Sequence, residues 1–291
     1  MKCDFCGQEA CTVTDYNYFT LGGGAHKGLP LPGVIRYLLD AGVDMVHSVY
    51  TGISIGSIVG WLFTNGKSPE EIQEIFYKKL HISDKTTPSR LLQGTLSGLK
   101  RWDAAFRPGL LDSCWLIKDI QQDQNDSELS MRANLFTLST RLPGLGTVIM
   151  TGADNADRIV TRGAALVTNA NPVVAVASAI AVPAMFRPVI ARVEGRRVPL
   201  IDGGLRNPHP SWIAPIDNPV IAQLFHGKLV DRVFEQKPEA IVLPVGDNRV
   251  PPFTHLTPKL CKEQFERGRK IAAELLQPRI DAGELAMVSA R

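Results

Sequence analysis

The sequence predicts a three-layer α/β/α protein built on a mostly parallel sheet that is covered by helices on both faces. One observation leads to this prediction. Short apolar runs alternate with segments of helical spacing along most of the chain. Strands of a parallel sheet are buried on both faces and are joined through helices, which gives this alternation. The 291 residues are enough for one large domain, so we assign residues 1–15 to a cysteine-bearing N-terminal extension and residues 16–291 to a single domain.

The elements follow from apolar spacing and from turn signals. Strands are predicted at residues 16–21, 45–50, 135–139, 147–151, 198–201 and 240–245, and helices at residues 31–41, 55–63, 172–181 and 258–276. Ser68 is a predicted N-cap of a further helix, because proline and two acids follow it. Residues 86–120 form a basic, amphipathic stretch interrupted by glycine and proline, and this pattern fits either a core-facing helix or a surface that lies on a membrane.

Composition excludes several classes of protein. The chain is 44% hydrophobic and 21% charged, a normal balance for a soluble globular protein, and its net charge of +3 gives no support for nucleic-acid binding. The longest apolar run, residues 173–186, is too short to span a bilayer and contains Pro183. The first ten residues lack the pattern of a secretory signal. These features predict a cytoplasmic protein with no transmembrane segment, whose contact with membranes is peripheral.

The five cysteines, an odd number, indicate free thiols in a reducing compartment. Cys3, Cys6 and Cys11 resemble one half of a zinc site, but no second pair of cysteines or histidines follows to complete four ligands. The alternative is a flexible extension that carries thiols. The sequence therefore predicts no metal and no cofactor, with the three N-terminal cysteines as a weak zinc candidate.

The first motif that carries chemistry is the glycine-rich stretch 22–28, which follows a predicted strand and precedes a helix. Glycines let the backbone approach a ligand closely, and several N–H groups can converge on an anion there. A phosphate loop, an oxyanion hole and a plain turn all remain open from this stretch alone. It is not a Walker A loop, because Lys27 precedes Gly28 and no Ser or Thr follows.

Two further motifs are a serine and an aspartate that each lie in a glycine turn. Gly52-Ile53-Ser54-Ile55-Gly56 lies between an apolar strand and a helix, the context in which G-x-S-x-G presents a nucleophilic serine. Asp202-Gly203-Gly204 follows the predicted strand at 198–201. Each motif is weak alone, since small residues favour strand–helix junctions and Asp-Gly is a common turn.

The three motifs together, in this order, resemble the patatin-like phospholipases over roughly residues 18–276. Residues 33–38, 177–188 and 202–208 are similar to that family as well. One departure is that the family usually reads G-G-G-x-R/K-G, whereas this chain has one residue more. Either His26 is inserted, or Ala25 replaces the third glycine of a gap-free match from Gly23 to Gly28. The N-terminal extension is a second departure.

The resemblance implies a patatin-like fold and a catalytic dyad. Ser54 would attack the carbonyl carbon of a lipid ester at a membrane or micelle surface, and Asp202 would accept its proton. A carboxylate can act as this base when partial burial raises its pKa. Backbone N–H groups of the loop would stabilise the oxyanion, and Lys27 would orient the loop or meet an anionic group of the substrate. The implied oxyanion donors are Gly22, Gly23, Gly24 and Ala25, and the supporting motif residues are Lys27, Gly28, Gly52, Gly56, Gly203 and Gly204.

Two alternatives to the dyad are kept. One is an α/β-hydrolase triad of Ser54, Asp247 and His255, which has the right chain order but places the last two close together in sequence. The other is a lipid-binding protein that kept the fold without catalysis.

Overall fold

A computed structural model describes residues 16–80, 111–123, 129–153, 156–208, 210–216, 219–223, 233–235, 237–247, 250 and 256–288. The strands of this part are β1 (Tyr18–Leu21), β2 (Val49–Gly52), β3 (Leu135–Arg141), β4 (Gly146–Thr151), β5 (Ala165–Val167), β6 (Val189–Val193), β7 (Arg196–Asp202), β8 (Val220–Gln223) and β9 (Ile241–Pro244). The α-helices are α1 (Leu31–Asp40), α2 (Ile55–Thr64), α3 (Pro69–Lys79), α4 (Ser113–Asp123), α5 (Pro172–Ala179) and α6 (Pro258–Asp281).

The described strands form one mixed sheet in the order β5-β4-β3-β2-β1-β8-β9, and β7, which pairs with β6, joins the same sheet along β3. The pairs β1–β2, β1–β8, β2–β3, β8–β9 and β4–β5 are parallel. The pairs β3–β4, β3–β7 and β6–β7 are antiparallel. The expected fold class is confirmed, because the sheet is mostly parallel and helices flank it.

Strand β3 brings the ends of two other strands together. The first half of β3 pairs with β2, whose last residue, Gly52, lies opposite Thr137. The second half pairs with β7, whose last residue, Asp202, lies opposite Ser139. Because β7 runs antiparallel to β3 while β2 runs parallel to it, the carboxyl ends of β2 and β7 meet head to head. This register places the residues that follow β2 beside the end of β7.

Alternate strand residues face two different core clusters. Phe19, Tyr50 and Leu135 pack in a large cluster with apolar residues of all six described α-helices. Tyr18 and Phe136 point to the opposite face, where they pack in a smaller cluster with residues that include those of the 3₁₀ helix Pro210–Ile213. The period-2 alternation of strand side chains separates these neighbours in sequence.

The predicted elements agree with the structure except at β2, at three unpredicted strands and at α4, which was not predicted as a separate helix and overlaps only the end of the amphipathic stretch 86–120. Helix α3 begins as expected, because Ser68 accepts a hydrogen bond from the Glu71 N–H and the Glu71 carboxylate accepts one from the Ser68 N–H. The prediction of a strand at 45–50 was wrong for residues 45–48. There the Asp44 carboxylate accepts hydrogen bonds from the N–H groups of Val46 and His47, which forms a turn before β2. Strands β5, β6 and β8 were not predicted.

Several predictions concern residues that lie outside the described part of the chain. These are the N-terminal extension with Cys3, Cys6 and Cys11, most of the amphipathic stretch at 86–120, and His255. None of the helices in the described part is long and apolar enough to cross a membrane. The domain division at residue 15 and the cytoplasmic location stay predictions.

Candidate active site

Ser54 occupies a sharp turn between β2 and α2. Its φ of 50° and ψ of −127° are unusual for a residue with a side chain, and such a conformation costs about 1–3 kcal/mol. The turn is tight because a Cβ on Gly56 would lie 2.2 Å from the Leu21 carbonyl oxygen. Glycine at that position therefore lets the first turn of α2 pack against the end of β1. The result is a serine held at the carboxyl end of the sheet by a strained backbone.

The segment after α5 holds the backbones of both candidate catalytic residues. The Ser54 N–H donates a hydrogen bond to the Ala179 carbonyl oxygen at 3.1 Å, and the Asp202 N–H donates one to the Ala181 carbonyl oxygen at 2.9 Å. The two acceptors are only two positions apart in the chain, so one short segment fixes Ser54 relative to Asp202. The structure thus brings together two residues that are 148 positions apart in sequence.

The Asp202 carboxyl group is buried, with 5% of the residue exposed. Burial raises its pKa to about 6, while the neighbouring Ser54 side chain and the Gly204 N–H oppose that rise. The Gly204 N–H donates to Asp202 Oδ1 at 2.7 Å. Asp202 Oδ2 is buried and has no hydrogen-bond partner among the described residues. A carboxylate oxygen beside the serine is therefore left to accept a proton.

The glycine loop lies directly against this serine. A Cβ on Gly23 would lie 2.9 Å from the Ser54 Cβ, so only glycine lets the loop approach so closely. The N–H groups of Gly23, Gly24 and Ala25 donate to no backbone carbonyl within the described ranges. The Gly22 N–H differs, since it donates to the Ala222 carbonyl oxygen at 3.2 Å and extends the pairing of β1 with β8. Gly22 is therefore not available as an oxyanion donor, contrary to our expectation.

The backbone of Ala25 can be compared with the two alignments of the loop. Ala25 has a φ of 50°, in the left-handed region that favours glycine. A glycine is what the family pattern has at this position if the match from Gly23 to Gly28 is gap-free. The conformation fits the gap-free match, in which Ala25 replaces the third glycine. Gly24, which is the third glycine if His26 is inserted, also has a positive φ, of 141°.

One potential donor was missed in the sequence analysis. The Ile55 N–H lies at the first position of α2, where no intrahelical acceptor exists, and it donates to no carbonyl in the part of the chain that the structure describes. The signal was present in the sequence, because the residue after a G-x-S-x-G serine commonly supplies an oxyanion N–H.

A small apolar cavity opens at Ser54. Its walls come from the glycine loop, α2, the end of α3, α4 and the segment that follows α5. They consist of Ala25, His26, Ser54, Ile55, Ile58, Leu80, Leu116, Ile180, Val182, Met185 and Phe186. Apart from His26 and Ser54 these side chains are apolar, so the cavity suits a hydrocarbon chain.

The remaining predicted residues lie either in the turns around Ser54 and Asp202 or, like Asp247, away from them. Gly28 packs against the Ile55 side chain, Gly52 against Ser57, and Gly203 against the Leu138 carbonyl group, so these three glycines allow close packing around the site. The Lys27 N–H donates to the Gly24 carbonyl oxygen.

Asp247 follows β9, which lies three strands from β2 in the sheet. At about 4.8 Å per strand, that places it about 14 Å from the Ser54 strand.

Comparison with known proteins identifies the family. The sequence profile described as "Patatin-like phospholipase" matches residues 19–215, which is more than half of the chain. No curated protein sequence matches the chain significantly.

Solved structures show the same fold at low sequence identity. VipD from Legionella pneumophila is 12% identical with a TM-score of 0.52, and the match covers 91% of this chain and 67% of that one. Full-length ExoU, solved in complex with SpcU from Pseudomonas aeruginosa, is similar at 15% identity and a TM-score of 0.50, with 91% and 53% covered. The chain therefore spans about two thirds of the first protein and about half of the second.

Proposed function

The chain belongs to the patatin-like phospholipase family, and on that basis we propose that it cleaves carboxylic esters of glycerolipids with a Ser54–Asp202 dyad. One observation carries this proposal. The strained Ser54 faces a buried carboxyl group whose pKa is raised to about 6, at the mouth of an apolar cavity. A raised pKa near neutrality is what a general base requires.

The reaction follows from this arrangement. Ser54 Oγ attacks the ester carbonyl carbon while its proton passes to Asp202 Oδ2, which gives a tetrahedral oxyanion. The oxyanion collapses, the alcohol portion of the lipid leaves with that proton, and the acyl group stays on Ser54. Asp202 then takes a proton from water, the resulting hydroxide attacks the acyl-enzyme, and the fatty acid is released as the proton returns to Ser54. No histidine and no cofactor is needed in these steps.

The oxyanion would lie against the glycine loop. We assign its donors to the N–H groups of Gly23, Gly24 and Ala25, and the Ile55 N–H at the start of α2 is the additional candidate. Each such donor contributes about 3–4 kcal/mol to lowering the barrier. The strained φ of Ala25 is consistent with a loop conformation that is maintained for this role.

The alternatives receive less support. In the triad, a single imidazole would have to bridge about 14 Å of sheet between Asp247 and the Ser54 strand. In addition, Gln264 Nε2 already lies 3.4 Å from the Asp247 carboxylate. A catalytically inactive lipid-binding protein would not require a strained serine beside a buried carboxylate with a raised pKa. The lipid substrate at a membrane or micelle surface, and the phospholipase A or lysophospholipase type, remain part of this proposal.

Product analysis tests the proposed function. Mixed phospholipids, lysophospholipids and neutral glycerides are incubated with the protein, and the products are separated by mass spectrometry. We expect free fatty acid together with the matching lyso-lipid or glycerol phosphodiester, and none of these with Ser54→Ala. Products that persist in the Ser54→Ala protein, or no lipid products with the parent protein, would contradict the proposal.

The depth of the cavity predicts a change in chain-length preference. Ile58 lies about one helical turn deeper along α2 than Ser54, roughly 6 Å away along the helix axis, and it lines the cavity. Ile58→Phe should therefore lower activity on long acyl chains relative to short ones by at least about tenfold. Activity on p-nitrophenyl esters of increasing chain length measures the ratio. Ile58→Leu, which conserves volume, is the control, and an unchanged ratio in Ile58→Phe would show that acyl chains bind elsewhere.

A further inference from the structure

The strands β6 and β7, with their turn, extend from the catalytic end of the sheet. We call residues 189–202 the β6–β7 arm. Arg196 is six residues before Asp202 on β7, so the outer end of the arm lies about 20 Å beyond the candidate base, at 3.3 Å per residue. Its inner end continues into the cavity wall, because Val182, Met185 and Phe186 immediately precede it. The arm is therefore continuous with the wall of the cavity that would take the acyl chain.

The arm and the segment leading into it are strongly basic. Residues 183–201 contain four arginines and one glutamate, which gives them a formal charge of +3, equal to that of the whole chain. Arg187, Arg192, Arg196 and Arg197 are exposed. None of them forms a salt bridge with another residue in the described ranges. The glutamate, Glu194, pairs instead with Arg141 of β3 at 3.4 Å.

Two of these arginines face each other across the arm. Arg192 of β6 is the register partner of Arg197 of β7, so their side chains share one face of the antiparallel pair. Like charges in this position destabilise a hairpin unless an anion lies between them. On the same face, Ile190 is paired with Pro199, and 49% of Ile190 is exposed. An exposed face that combines arginines with an isoleucine suits the boundary between phosphate headgroups and acyl chains.

One other acidic group near the arm, that of Asp112, already accepts hydrogen bonds. Asp112 follows Leu111, which forms an isolated bridge with Phe186. The Asp112 Oδ1 accepts hydrogen bonds from the N–H groups of Cys114 and Trp115 at the start of α4. Acids of the chain itself therefore do not neutralise the arginines of the arm in the described structure, and a negatively charged partner can.

We propose that the β6–β7 arm binds the anionic surface of a lipid bilayer and holds the Ser54 cavity against it. The proposal takes its substrate, a glycerolipid, from the proposed function. Binding of the arm to the lipid surface does not depend on catalysis. Guanidinium groups bind phosphate oxygens in a bidentate way, and each basic residue near an anionic leaflet strengthens binding. The arm would supply affinity for the surface, and the cavity would take the acyl chain.

Vesicle co-flotation tests the binding step separately from catalysis. All variants carry Ser54→Ala, so no lipid is consumed, and the vesicles contain either phosphatidylcholine alone or phosphatidylcholine with phosphatidylserine. We expect stronger binding to the anionic vesicles, weakened by salt, and a loss on the order of tenfold or more in Arg192→Gln/Arg197→Gln. Arg192→Lys/Arg197→Lys keeps the charges and should retain most of the binding.

A matched control removes the same charge elsewhere. Lys270→Gln/Arg279→Gln lies on α6, which packs against α1 and α3, and should bind anionic vesicles like the parent. Equal binding by the arm variant and the parent would overturn the proposal. Absence of binding to anionic vesicles would also overturn it and would leave an acidic protein as the partner of the arm.

Activity separates this proposal from the proposed function. With Ser54 restored, Arg192→Gln/Arg197→Gln should cleave a soluble short-chain ester at the parent rate and lose activity only on anionic vesicles. Binding without any ester hydrolysis by the parent would refute the enzyme and leave the arm supported. Equal loss of activity on the soluble ester and on vesicles would refute the role of the arm as a membrane contact.

Discussion

Ser54→Ala should lose ester hydrolysis by at least about 10⁴-fold, because removal of the nucleophile of an acyl-transfer enzyme leaves only the contribution of binding and of the oxyanion donors. The variant should also lose labelling by a fluorophosphonate, which reacts with an activated serine hydroxyl. Its fold should be retained, since alanine removes one atom and no side-chain hydrogen bond caps α2 at this position. Activity on a fluorogenic acyl ester and gel-based labelling measure the two effects.

Ser57→Ala is the matched control for this substitution. Ser57 lies one turn further along α2, is fully buried, and its hydroxyl has no hydrogen-bond partner among the described residues. Loss of that hydroxyl should leave both activity and labelling within about twofold of the parent, because a buried hydroxyl without a partner contributes little to stability. Normal labelling of Ser54→Ala, or loss of labelling in Ser57→Ala alone, would assign the nucleophile to another residue.

Local sequence predicted the parts of the site that depend on neighbours in the chain. The strand–turn–helix around Ser54 needs only an apolar run, two glycines and a helix-forming segment, and it forms as predicted. The N-cap at Ser68 depends on residues within one turn and is also confirmed. The order of the three glycine motifs indicated the family, which a profile match over residues 19–215 confirms.

The parts that depend on tertiary contacts could not be predicted in this way. The Gly22 N–H looked equivalent to its neighbours in sequence, yet it pairs with the Ala222 carbonyl group of β8, a strand that was not predicted. Neither the hydrogen bond from the Ser54 N–H to the Ala179 carbonyl group nor the burial of Asp202 has a local signal. The amphipathic strand β6 is short and carries charges, so its period-2 pattern was too weak to predict.

Asp202→Asn should lower hydrolysis at least about a hundredfold at neutral pH, because an amide cannot accept the serine proton. The Asn side chain can still accept the hydrogen bond from the Gly204 N–H, so the turn should persist. His255→Ala is the informative comparison, since His255 is the base of the triad alternative and the dyad gives it no part in proton transfer. A severe loss in His255→Ala with a mild loss in Asp202→Asn would favour the triad.

The pH dependence follows from the pKa of Asp202, which is raised from 3.8 to about 6. The base acts in its ionised form, so activity of the parent should rise with pH through about 6 and level off above it, and the residual activity of Asp202→Asn should lack this step.

Stability should change with pH in the opposite sense. The folded protein holds the Asp202 proton more tightly than the unfolded chain, so stability from this group is present below about pH 4 and is lost as pH rises through about 6. The loss is about 3 kcal/mol at most.

Asp202→Asn should therefore unfold at a higher denaturant concentration than the parent at pH 8 and at a similar one near pH 4. Equal stability of the two proteins at pH 8, together with a flat activity profile of the parent around pH 6, would show that Asp202 is not the buried base. A gain in stability on losing activity is what a strained and desolvated catalytic group predicts.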